Sequence, residues 1–150
     1  MIDLLVIGYG NDLRSDDGAG RAVAEMVADL DLPGVEVRTL SQLTPELSLE
    51  ISGRATVVFV DADVDATGVA MRPVTAGPPG NGAMTHHGDP ATLLTLTRTV
   101  GPLPDEAFVI SIPATNLEMG FAFSPRTDQA IGEAVDLIAS MAQSRSARSD

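Results

Sequence analysis

Two apolar runs, each closed by turn-forming or acidic residues, restrict this chain to a sheet whose central strands have no solvent face. Leu4-Leu5-Val6-Ile7 passes into Gly8-Tyr9-Gly10-Asn11 without alternating polar and apolar positions. A strand that lacks alternation is covered on both sides. Ala55-Thr56-Val57-Val58-Phe59-Val60 behaves in the same way and ends at Asp61-Ala62-Asp63, and Phe108-Val109-Ile110-Ser111-Ile112 is another strand. After the first run, Ala19, Ala22, Val23, Met26, Val27 and Leu30 recur at helical spacing and Pro33-Gly34 follows. That pattern predicts an amphipathic helix over about residues 18–30.

The remaining segments extend the alternation of strand and helix. Val35-Glu36-Val37-Arg38-Thr39-Leu40 alternates like a more exposed strand, and Thr44-Pro45-Glu46 carries a cap, a first-turn proline and a first-turn acid. Gly68-Val69-Ala70-Met71-Arg72-Pro73-Val74 is a weaker strand placed near an edge by its proline. Residues 76–88 are rich in glycine and proline and read as a loop, whereas Asp89-Pro90 and Ser124-Pro125 open helices running to about Val100 and Met141. The expected fold is α/β, a three-layer sandwich with a twisted, mostly parallel five-stranded sheet between helices, in strand order 2-1-3-4-5. At 150 residues, one domain over 1–143 accounts for the chain, with a frayed tail at 144–150.

Composition removes several kinds of chemistry. There is no cysteine, and all nine basic residues are arginine. Thiolate nucleophiles, cysteine-bound metal clusters, Schiff-base lysines and a P-loop lysine are therefore excluded within this chain. A net charge of −12 disfavours phosphate backbones and anionic lipid, so neither nucleic acid nor membrane is an expected partner. No apolar stretch reaches the about 18 residues of a membrane span, and no basic leader precedes the first strand. A soluble, cytoplasmic protein is the expectation.

In a doubly wound sheet, ligands bind beyond the carboxyl ends of the strands, where the strand order reverses. Asp16-Asp17 follows the first strand, Asp61 ends the third, and His86-His87 lies in the loop after the weak fourth strand. With strands 1 and 3 as neighbours, Asp17, Asp61 and one histidine can converge. Two carboxylates and an imidazole suit a borderline divalent ion with positions left open for hydrolytic chemistry. The plainer alternatives are a helix cap for Asp16 or Asp17, an Asx-turn for Asp61 and a solvated histidine. Gly8-x-Gly10 lacks a third glycine, since Leu13 stands there, and no Gly-x-Ser-x-Gly occurs.

Gly8-Tyr9-Gly10-Asn11-Asp12-Leu13-Arg14-Ser15-Asp16-Asp17-Gly18-Ala19-Gly20 resembles the opening motif of the hydrogenase maturation endopeptidases, nickel-dependent proteases that remove a C-terminal peptide from the [NiFe]-hydrogenase large-subunit precursor. Val58-Phe59-Val60-Asp61-Ala62, then Thr85-His86 leading to Pro90 and Leu93-Leu94, then Ile112-Pro113 through Leu117-Glu118-Met119-Gly120 to Ser124-Pro125, continue the resemblance in the family's order. It implies that Asp17, Asp61 and His86 contact nickel and carry the catalysis. His86 keeps the family's interval to Pro90, with His87 as the neighbouring alternative. The nickel is expected to be presented by the precursor, so that its binding checks loading before cleavage. One departure is Leu40-Ser41-Gln42-Leu43-Thr44, where many relatives carry a glycine-rich turn. The competing readings are a non-catalytic metal-checking factor that binds the precursor and a small-nucleotide-binding α/β domain.

Overall fold

The computed structural model describes residues 3–77 and 89–149. Strands β1 (Leu4–Tyr9), β2 (Val35–Leu40), β3 (Thr56–Asp63), β4 (Ala70–Pro73) and β5 (Glu106–Pro113) form one sheet in the order β2-β1-β3-β5-β4. β1 pairs in parallel with both β2 and β3, β3 pairs in parallel with β5, and β4 is antiparallel to β5. Helices α1 (Ala19–Asp29), α2 (Leu47–Ile51), α3 (Pro90–Val100) and α4 (Pro125–Ser149) complete the fold, with a short 3-10 turn at Ser15–Gly18 before α1.

The strand parity sorts the core into two layers. Leu4, Val6, Val58, Val60, Ile110 and Ile112 face α1 and α4, where Val23, Val27, Ile131 and Ile138 close over them. Leu5, Ile7, Val57, Phe59 and Val109 face the other way, against Leu47 and Ile51 of α2 and Leu93 and Leu94 of α3. Each fully buried aliphatic or aromatic side chain contributes about 1.5–3 kcal/mol relative to exposure. This is the three-layer α/β sandwich expected from the uninterrupted apolar strands.

The sheet order departs from the expected 2-1-3-4-5 at its last two strands. β4 is exposed along its whole length and contains Pro73, so it takes the edge. β5 is buried from Val109 to Pro113 and takes the two-sided position beside β3. The link from Asp63 to Ala70 contains no helix to carry a parallel crossover, so the chain returns reversed. The amino-terminal half of β4 therefore lies near the carboxyl ends of the parallel strands, and Pro73 sits beside Phe108 at the opposite edge.

α2 begins at Leu47 with Glu46 before it and no side-chain cap, later than the expected Thr44 cap, whereas α3 starts at its expected cap. Asp89 Oδ1 accepts from Ala91 N at 2.7 Å with Pro90 in the first turn. α4 begins at Pro125 as predicted but continues to Ser149, beyond the expected end near Met141. Residues 144–149, expected to fray, are helical, and Arg145 donates to Glu106 and to Thr56 Oγ1 at the base of the sheet.

Candidate active site at the carboxyl edge

The loop leaving β1 is shaped by glycines that admit close backbone contact. A Cβ on Gly8 would stand 2.2 Å from the Gly20 carbonyl oxygen, and one on Gly20 would stand 2.3 Å from that of Val60. α1 therefore lies directly on β1 and β3. Gly10 has φ +144, a conformation side chains rarely adopt, and its Cβ position is 2.1 Å from the Asp17 carbonyl oxygen. These glycines serve internal packing.

The two adjacent acids have different surroundings. Asp16 is fully buried. Its carboxylate accepts from Ser124 N at 2.8 Å, Ser124 Oγ at 2.7 Å, Thr115 N at 2.9 Å and Asn116 N at 2.8 Å. Burial alone would raise its pKa, but the Ser124 hydroxyl and these backbone donors outweigh it and hold the carboxyl well below the usual range. Asp16 thus anchors the segment between β5 and α4. Backbone bonds from Ser15 N to Gly120 O and from Gly120 N to Leu13 O continue that seam. Neither Asp16 nor Asp17 caps α1, whose N-terminus has no side-chain cap.

Asp17 faces a cleft of about 260 Å³ together with Tyr9, Gly10, Ser41, Gln42, Leu43, Asp61 and Ala62. Its Oδ2 accepts from Asn11 N at 2.9 Å. Asp61 is reached from the adjacent strand: Gly8 is the last β1 residue in register with β3, opposite Val60, and Tyr9 and Asp61 follow them in sequence. Tyr9 Oη donates to Asp61 Oδ2 at 3.0 Å. Asp61 Oδ1 is buried and has no hydrogen-bond partner. Burial pushes the Asp61 pKa up to about 6, with Asp63 and Asp17 adding to the rise and the Tyr9 hydrogen bond and Arg72 opposing it. Burial and the neighbouring Asp61 charge likewise push the Tyr9 phenol far above its ordinary value.

The structure thus brings Asp17 and Asp61 to one cleft at the carboxyl edge. His86 and His87 lie outside the described residues. Among the described residues, no three histidine, cysteine, aspartate or glutamate side chains form a metal-binding group. The donor set nevertheless fits a cation: an unpartnered, buried carboxylate oxygen beside a second carboxylate is costly unless a positive charge or a proton joins it. The loop that carries the histidines was expected at the carboxyl edge of the parallel strands; β4 is antiparallel, so that loop begins at the opposite edge. The chain leaves β4 at the opposite edge, where Val74 N donates to Ala107 O, and Gly77 N donates to Thr95 Oγ1 of α3. It re-enters at Asp89, whose helix start borders Leu43 and Thr44 beside the cleft. Tyr9 was not singled out by its sequence context, although the row Leu5, Ile7, Tyr9 beside Val57, Phe59, Asp61 is readable from strand parity.

No protein-family model matches the chain, and no curated protein does. Solved structures do. The hydrogenase maturating endopeptidase HybD from E. coli superposes with a TM-score of 0.73 at 19% identity, covering 95% of this chain and 94% of that one. The [NiFe] hydrogenase maturation protease HycI from Thermococcus kodakarensis gives 0.71 at 20% identity, over 94% and 92%. A hydrogenase 2 maturation peptidase from a Thaumarchaeota archaeon gives 0.67 at 22% identity, over 93% and 97%. These superpositions span nearly the whole of each chain. The chain has the fold of the hydrogenase maturation endopeptidases.

Proposed function

We propose that this protein is an endopeptidase that removes the C-terminal extension of a [NiFe]-hydrogenase large-subunit precursor once nickel has been inserted. The observation that carries the reading is the buried, unpartnered Oδ1 of Asp61 in a cleft shared with Asp17. Nickel enters as part of the substrate, held by Asp17, Asp61 and His86. His86 precedes Asp89 by three positions, a chain reach of about 10 Å, and Asp89 starts its helix beside Leu43 of the cleft wall. The ion acts as a Lewis acid toward the bond to be cut. Holding it makes the loaded precursor the form that is positioned for cleavage. Water adds to the scissile carbonyl, the carbon–nitrogen bond breaks, and the leaving amine takes a proton. Ser41 and Gln42, on the strand-exit turn that departs from the family's glycine-rich pattern, line the same cleft.

The test uses purified protein with nickel-loaded and nickel-free precursor, followed by intact-mass spectrometry. The expected result is loss of the C-terminal peptide from the loaded form alone. Asp17→Ala, Asp61→Ala and His86→Ala abolish it while His87→Ala is mild. Stable binding of loaded precursor with an intact tail would replace the protease reading with that of a non-catalytic metal-checking factor.

A further inference from the structure

We infer that Tyr9 is a positioning residue for Asp61: its phenol holds Oδ2 and fixes the orientation in which the carboxylate meets the cation. The inference rests on the metal-contacting role proposed above for Asp61. Among the described residues, the Tyr9 bond of 3.0 Å is the one hydrogen bond this carboxylate receives. The charged groups around it are Asp63 on its own strand, Asp17 on the 3-10 turn and Arg72 on β4. None of them is hydrogen-bonded to it, so the orientation of the carboxylate depends on the phenol.

The phenol is itself well placed for that task. Tyr9 ends the β1 row formed by Leu5 and Ile7, and its ring packs against the core layer under α2 and α3. A ring fixed on one strand reaches the neighbouring side chain across a strand spacing of about 4.8 Å. Burial raises the Tyr9 phenol pKa above its ordinary range, so the phenol is a donor at neutral pH. Partners that hold the second atom of a ligating side chain fix its orientation, and removing one typically costs about 10–100-fold in metal affinity.

The test is a titration of the full chain with Ni²⁺ alone, into the millimolar range, read from paramagnetic broadening of backbone amide signals. Wild-type protein is expected to broaden around Gly10 and Ala62, and Asp61→Ala to lose that effect. Tyr9→Phe, which deletes one oxygen and keeps the ring, is expected to raise the apparent Kd about 10–100-fold with the metal-free spectrum preserved. Wild-type affinity in Tyr9→Phe, with binding still lost in Asp61→Ala, would overturn the positioning role and leave the metal site standing. Broadening that is absent from the wild-type cleft, or unaffected by Asp61→Ala, would overturn both.

Discussion

Asp16 and Asp61 are carboxylates near one loop with opposite electrostatics, and each makes a separate prediction. Asp16 has a folded pKa below its unfolded value of about 3.9, so its contribution is complete at neutral pH and is lost as the pH falls below about 4. Asp16→Ala leaves the Ser124, Thr115 and Asn116 donors without their acceptor. A loss of about 3 kcal/mol at pH 7 is expected, with a flatter acid limb than wild type in thermal melts between pH 5 and 2. Equal acid limbs would remove Asp16 from this role. Asp61 runs the other way: its folded pKa is about 6. The folded state then binds more protons than the unfolded one between about pH 4 and 6, and stability falls across that window. In metal-free protein at pH 7.5, Asp61→Asn is expected to gain about 1 kcal/mol, a discounted share of a two-unit shift in a half-buried group. Tm rises by about 2–4 °C, the gain vanishes below pH 4, and processing is lost. A lower Tm at pH 7.5 would contradict the cost assigned to that carboxylate. The sequence singled out Asp17 for the cleft, where the structure places it, but the anchoring role of Asp16 was not legible, because it depends on the phase of the 3-10 turn. Tyr9 went unread because a tyrosine ending an apolar strand looks like any core residue.

At the scale of elements, the position of the site depends on how closely α1 lies on the sheet. Gly20→Ala places a methyl 2.3 Å from the Val60 carbonyl oxygen, so the helix must lift. The same substitution at Gly132, inside α4, meets nothing within 4 Å. Urea denaturation is expected to show Gly20→Ala destabilised by about 1–3 kcal/mol through overpacking and Gly132→Ala stabilised by about 0.5–1 kcal/mol through helix propensity. Similar shifts for the two would mean that α1 tolerates a wider gap. The buried strands were readable because a run without a polar position has one physical solution. Edge character was readable in β4 from Pro73. Its neighbour was not, because that depends on β5 being apolar enough to take the place between β3 and β4. The end of α4 was misplaced because the apolar stripe stops near Met141, whereas the helix is held further along by Arg145 against Glu106.

The whole molecule is a three-layer sandwich with two carboxylates brought to the edge where β1 and β3 end. Among the described residues, no helix is long and apolar enough to cross a membrane. Adjacency of β1 and β3 was legible from the order of strands and helices, and it is what brings Asp17 and Asp61 into one cleft from positions 44 residues apart. On the proposed function these two acids and His86 share one ion. Crystals soaked in Ni²⁺, with diffraction measured on both sides of the nickel absorption edge, test this directly. One strong anomalous peak within coordination distance of Asp17, Asp61 and His86 is expected; a peak away from Asp61, or no peak in the cleft, contradicts the shared site.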